Sequence, residues 1–215
     1  MTTQQIIKKL YSLANPKNVE GMARFGINSK NTLGISVAVL RKIAKEIGKN
    51  HELALELWKT GIHEARMLAA HIDDWRLVTK KQMNDWVKDF DSWDICDNAC
   101  LHLFDRTPWA YEKAKGWSSR GEEFVKRAGF ALMAVLAVHD KKRSDNDFIK
   151  FFSLIKKGAT DERNFVKKAV NWALRQIGKR NAALRKRAIK LAEEILKIES
   201  PSARWIARDA LRELK

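Results

Sequence analysis

The chain has 215 residues, 45% of them hydrophobic and 32% charged, enough to bury a substantial core. No run approaches the roughly 20 apolar residues that span a bilayer. The start, Met1-Thr2-Thr3-Gln4-Gln5, lacks the basic-then-apolar profile of a secretory signal, so neither membrane insertion nor export is expected. Lys and Arg number 42 against 26 Asp and Glu, a net charge of +16, and the excess is uneven. Residues 1–112 hold 16 basic and 14 acidic side chains, residues 113–215 hold 26 and 12. A second half this cationic suits a polyanion, nucleic acid first. Eight tryptophans add flat faces of the kind that hold bases or sugars among cations. The two cysteines, Cys96 and Cys100, exclude a disulfide framework and a four-thiolate zinc site. They are expected to be reduced, partly buried thiols in a cytoplasmic protein.

Helical periodicity runs through the chain, and no strand-like alternation with paired turns appears. Ile6, Ile7, Leu10 and Leu13 mark a first helix ended by Asn15-Pro16, and a short helix follows over 19–25. Ser36 caps Val37–Ile47, which Gly48 closes. A short helix over 53–58 stops at Gly61; His63–Ile72 turns Met67 and Leu68 inward with Arg66 at its flank. Thr79 opens a helix over 80–90, and Ser92 opens the next, to about 104. Pro108 suits the first position of a helix over 109–117. The stretch 122–138 is apolar on more than one side and reads as central. Beyond the polar loop 141–145, helices are predicted over 147–156, 162–177, 182–198 and 202–214.

A weak repeat joins these helices. Phe124-Val125-Lys126-Arg127-Ala128 and Phe165-Val166-Lys167-Lys168-Ala169 match at a spacing of 41, each opening a long helix after a shorter one. His63-Glu64-Ala65-Arg66 has similar character. Helix pairs recurring at about 40–47 residues mark HEAT-type solenoids. The expected fold is all-α, a curved solenoid of HEAT-like antiparallel helix pairs, as a single domain over 1–215. An irregular helical bundle is the plainer alternative. In a solenoid, basic residues near the starts of the second helices form a cationic stripe along the inner side.

Two stretches bring chemistry together. In Ser92-Trp93-Asp94-Ile95-Cys96-Asp97, Trp93 and Asp97 are four apart and share a helical face. An indole beside a carboxylate can hold a cationic, planar or sugar-like group; the pattern also fits a core indole beside a solvated charge. In Lys168-Ala169-Val170-Asn171-Trp172-Ala173-Leu174-Arg175, Lys168, Trp172 and Arg175 fall on one side. Two cations about an indole can grip phosphates while the ring meets a sugar or base, or can simply edge a core tryptophan. Arg127, on a mostly apolar helix, either reaches a phosphate or pairs with a buried carboxylate. Lys179-Arg180 and Arg185-Lys186-Arg187 read as a solvated basic face. The five histidines show no ligand spacing. Gly-rich phosphate loops, nucleophile elbows and dinucleotide fingerprints are absent, so no metal or cofactor is expected.

Taken in order, these stretches resemble the AlkD family of alkylpurine DNA glycosylases. Met22-Ala23-Arg24-Phe25, Leu33-Gly34-Ile35 and Leu40-Arg41-Lys42-Ile43 are similar to that family's N-terminal block. Leu57-Trp58 with Glu64-Ala65-Arg66 is similar to its next block, and Trp93-Asp94-Ile95-Cys96-Asp97 to its Trp-Asp-x-x-Asp segment. Phe124 to Ala128 and Lys168 to Arg175 match two later blocks. The resemblance implies HEAT-like helices around duplex DNA, and removal of cationic N3- and N7-alkylated purines without a deep base pocket. It implies Asp97 as the catalytic carboxylate, Trp93 and Trp172 as lesion-lining residues, and Arg127 as a DNA contact. Lys168 and Arg175 join it as DNA-binding candidates. The implied partner is alkylated double-stranded DNA, bound by a monomer. Two positions depart from the family pattern: Ser92 stands where a second Trp is frequent, and Asn171 where Gly is common. A non-catalytic HEAT-like protein that binds damaged or branched DNA is the rival expectation.

Overall fold

The computed structural model describes residues 1–215 and is entirely helical, with fourteen α-helices, one 3₁₀ turn and no strand. It divides into two compact units, Met1–Thr107 and Pro108–Lys215. The charge follows that division. The first unit holds 16 basic and 13 acidic residues, the second 26 and 13.

The first unit contains α1 (Thr3–Ser12), α2 (Pro16–Arg24), α3 (Val37–Ile47), α4 (His51–Lys59), α5 (His63–Ile72), α6 (Lys80–Lys88), α7 (Trp93–His102) and the 3₁₀ turn Phe104–Arg106. Asn15 and Pro16 open α2, rather than only ending α1: the Asn15 side chain accepts the Asn18 N–H and Pro16 takes the first turn, where its missing N–H costs nothing. Helix α3 packs on α5, and α5 on α7. Outside that row, Trp58 of α4 stacks on Trp86 of α6 with centroids 3.9 Å apart and planes 5° from parallel. Trp58 Nε1 donates to Asp89, and Arg66 lies over the Trp58 ring.

The second unit contains α8 (Ala110–Trp117), α9 (Glu123–His139), α10 (Asp145–Ile149), α11 (Phe152–Gly158), α12 (Asn164–Lys179), α13 (Ala182–Leu196) and α14 (Pro201–Leu214). Helix α9 is buried from Ala128 to Ala137, as its all-round apolar sequence requires. It packs on α8 and α12, and α12 packs on α14. The helix predicted over 147–156 is two helices. Phe148, Phe151 and Ile155 keep one buried stripe, but the chain turns between α10 and α11. Tyr111 stacks on Phe151, Phe148 meets Phe151 edge-on, and Arg180 lies 4.4 Å from the Phe148 centroid. Pro108 lies ahead of its helix rather than in the first turn, since α8 begins at Ala110 with Trp109 as N-cap.

Side-chain ties between neighbouring layers record the repeat. In the first unit, Gly34 and Glu64, Met67 and Asn98, and His63 and Asp94 are bonded across 30 or 31 residues. In the second, Arg127 and Phe165, Lys156 and Glu194, and Asn171 and Asp209 are each bonded across 38. The two matched Phe-Val-Lys segments open α9 and α12, and their phenylalanine rings lie 5.7 Å apart. Equivalent positions in successive layers therefore touch, as stacked helical repeats demand.

Candidate functional site

Helix α7 buries Ile95, Cys96, Asn98, Ala99 and Cys100. Trp93, Asp97 and Leu101 form a half-buried line at spacings of four. The two cysteines are fully buried rather than partly so, and burial pushes the Cys100 thiol up.

The start of α7 differs from the sequence reading. Ser92 is the N-cap residue, but its hydroxyl caps nothing in its own helix. Ser92 Oγ instead accepts the Asn28 N–H at 2.9 Å. The Asn28 side chain donates to Asp91 at 2.9 Å, and Trp93 Nε1 donates to the Phe25 carbonyl at 3.0 Å. The segment between α2 and α3 is thus stitched to the first turn of α7, and the Trp93 ring is fixed in orientation. Asp94 accepts from His63 Nε2 at 2.9 Å. Burial alone would depress His63; the hydrogen bond to Asp94 and the charges of Asp94, Glu64 and Asp91 outweigh it and raise its pKa.

Trp93 also walls a largely apolar cavity of about 490 Å³, shared with Lys17, Met22, Phe25, Ile27 and Ile35. Phe25, the C-cap of α2, is 73% exposed. The cavity edge at Gly34 has no room for a side chain: φ is +76°, and a Cβ would stand 2.2 Å from the Asn15 carbonyl oxygen. Glu64, wholly buried at the start of α5, accepts the N–H groups of Leu33, Gly34 and Ile35 at 2.8, 2.7 and 3.2 Å. One carboxylate thereby satisfies three orphan donors and fixes the loop. The sequence placed Met22 and Phe25 in a family block without reading them as cavity residues. The available signal was an aromatic residue at a helix end, where nothing on its own helix covers it.

In the second unit, Lys168 is exposed and Trp172 half-buried on α12. Arg175 is half-buried and its guanidinium turns to α14, pairing with Glu213 and, at 3.7 Å, with Asp209. Asn171 donates to Asp209 at 2.6 Å. Arg127 is 5% exposed, and its Nη1 donates to the Phe165 carbonyl at 2.6 Å, anchoring the start of α12 against α9. Arg185, Lys186 and Arg187 are exposed on α13. Arg180 is not part of that solvated face: it donates to the carbonyls of Ala137 and Arg143 and covers Phe148. Among the predicted site residues, Trp93 and Asp97 thus belong to the first unit, and Arg127, Lys168, Trp172 and Arg175 to the second. No group of three His, Cys, Asp or Glu side chains is placed to hold a metal ion. No helix is long and apolar enough to cross a membrane.

The family model for DNA alkylation repair enzymes matches residues 6–214. The chain belongs to that family. Among solved structures, this DNA alkylation repair family member resembles a protein described as one of a new family related to the HEAT-like repeat DNA glycosylases, with affinity for branched DNA structures. The two are 21% identical with a TM-score of 0.81, over 100% of this chain and 96% of the other. The fold is accordingly that of HEAT-like helical repeats. A designed armadillo repeat protein in complex with a Lys-Arg repeat peptide is 14% identical, with a TM-score of 0.43 over 83% of this chain and 92% of the other. An engineered protein is 13% identical, with a TM-score of 0.44 over 96% and 97%. No curated protein matches the chain.

Proposed function

We propose that this family member is a DNA glycosylase that hydrolyses the N-glycosidic bond of cationic N3- and N7-alkylated purines in duplex DNA. It would act as a monomer, in the cytoplasm, with residues 1–215 working as one domain. The observation that supports the reading most is the line Trp93–Asp97 on α7, half-open on a helix whose opposite side, Ile95, Cys96, Asn98, Ala99 and Cys100, is buried.

Alkylation at N3 or N7 gives the purine a positive charge and makes it a good leaving group, so no strong general acid is required. As the bond from the sugar to the base breaks, its electron pair leaves with the purine and neutralises it, and positive charge builds on the sugar. Asp97 supplies a fixed negative charge opposite that cation. It also orients the water that adds to the sugar carbon and accepts its proton. Trp93, one turn from Asp97 on the same helix, supplies an aromatic wall worth about 0.5–2 kcal/mol toward a cationic base, and Trp172 is the lining residue that the resemblance assigns to the second unit. Trp93 needs no reorganisation for this, because Phe25 already holds its indole N–H. Lys168 reaches the backbone from an exposed position. Arg127 and Arg175 would meet phosphate only on leaving the partners that hold them here, the Phe165 carbonyl for Arg127 and the Glu213 and Asp209 carboxylates for Arg175.

The test is release of free 7-methylguanine from methylated duplex DNA. Asp97→Asn is expected to slow it about 100- to 1000-fold, the cost of losing one preorganised electrostatic group. Equal rates in the two proteins would remove Asp97 from the mechanism, and no release by the wild type would remove the enzyme reading. A second reading, a non-catalytic binder of damaged or branched DNA, is favoured by one observation: the solved relative with the same fold is described as having affinity for branched DNA. That reading predicts salt-sensitive binding without base release, unaffected by Asp97→Asn.

A further inference from the structure

Helix α14 carries a second aromatic and cationic surface that the proposed chemistry does not use. Trp205 is 41% exposed, the only one of the eight tryptophans open to that degree. It lines a groove of about 520 Å³ with Pro201, Arg204, Arg208, Asp209 and Arg212. These positions fall on one helical face, with Arg204, Arg208 and Arg212 one turn apart from each other in sequence. Lys167 of α12 stands over the Trp205 ring, 5.3 Å from its centroid. The face has one carboxylate, Asp209, and Asn171, Arg175 and Arg212 already engage it. The three arginines and Lys167 therefore present net positive charge around an open indole.

An exposed indole among arginines spaced by one turn suits a polyanion whose repeating charges alternate with flat rings. In the interior of a duplex the base faces are covered by their neighbours, so away from the duplex ends an indole can stack only on a base outside the helix. The arginine ladder offers charge at intervals of about 5–6 Å, a step that the phosphates of one strand can follow. We propose that the α14 face, with Trp205 as its stacking platform and Arg204, Arg208 and Arg212 as its phosphate ladder, binds a single-stranded DNA segment flanking the duplex. The proposal rests on the reading of this chain as a DNA-binding protein. It does not rest on base excision or on Asp97.

The experiment compares the full-length protein bound to a blunt duplex and to the same duplex with a single-stranded thymidine tail. The wild type is expected to prefer the tailed duplex about tenfold, the order of one base stacked on an aromatic ring. Trp205→Ala should abolish the preference while leaving blunt-duplex affinity and base release unchanged. Trp205→Phe should keep most of it. Trp205 is exposed, so both variants are expected to fold, and matching thermal melts verify this. Persistence of the preference in Trp205→Ala would overturn the proposal, as would equal competition by polyglutamate and oligothymidylate of matched charge. Binding to blunt duplex with no preference for the tail overturns this proposal alone. Failure to bind either DNA at low salt overturns it together with the DNA-binding reading.

Discussion

Glu64 shows how much can depend on one buried side chain. Its carboxylate receives three backbone N–H groups from the Leu33–Ile35 segment and lies in no contact with water. Glu64→Gln replaces one acceptor oxygen with a donor aimed at donors, and is expected to destabilise the first unit by about 2 kcal/mol, measured by denaturant unfolding. The same substitution should loosen the cavity beside Trp93, seen as increased amide exchange in residues 33–35. Two histidines set a pH window. His63 is raised by Asp94 and the charges around it, so its contribution is complete below about pH 6.5 and is lost as the pH climbs through its folded value. His71 is depressed to about 4 by burial, then by Arg41 and Lys49, so its contribution is complete above about pH 6.5 and fades as the pH falls toward 4. The first unit is expected to melt highest near pH 6.5, with His63→Gln flattening the alkaline limb and His71→Gln the acid limb. Unchanged limbs in both variants would show that neither proton is linked to folding. The two departures from the family pattern also have uses at this scale. Ser92 carries the hydroxyl that holds Asn28, and Asn171 carries the amide that binds Asp209. No sequence pattern announces either partner, because each lies one or two layers away in the chain.

Among the elements, the helices were readable where apolar residues recur at helical spacing. Val37–Ile47 and His63–Ile72 have the predicted bounds. The stretch 147–156 misled because its buried stripe continues unbroken across a bend fixed by Tyr111 and Arg180, residues from other helices. Close helix contacts were likewise hidden. Gly129 of α9 sits so near α8 that a Cβ would be 2.2 Å from the Ser118 backbone nitrogen, and at Gly158 of α11 a Cβ would stand 2.4 Å from Phe130 Cζ. Gly129→Ala is expected to cost about 3 kcal/mol or more, since backbone rather than a movable side chain must yield. Gly116→Ala, on α8 with nothing within 4 Å of its Cβ, should stabilise by up to about 1 kcal/mol. Thermal melts of the two variants against wild type should move in opposite directions.

On the scale of the whole molecule, the charge imbalance foreseen between the halves coincides with the two units, and the repeat glimpsed in two Phe-Val-Lys segments proves to be α9 against α12. Asp97 and Trp93 could be nominated because their spacing needs only one helix. The cavity beside Trp93 could not, since it is closed by residues more than fifty positions away. Binding to duplex DNA is expected to weaken about 1000-fold between about 50 and 200 mM salt if six or more phosphates are engaged. Lys168→Ala should reduce the slope of log affinity against log salt by about one. An unchanged slope would remove Lys168 from the backbone contacts.

The span of the ties has a consequence for the order of assembly. In the second unit the bonds between layers reach about one repeat, from 35 residues for Lys126–Asp161 to 43 for Arg180–Ala137. Such local closure favours rapid, stepwise growth from a growing chain. The wall around Trp93 requires Asn28 to find Ser92 across 64 residues, and Trp93 to find Phe25 across 68, closures that cost more chain entropy. In pulse-labelled refolding, amides of the second unit should therefore gain protection early, while the Asn28 amide lags: the cavity is the last part of the protein to mature.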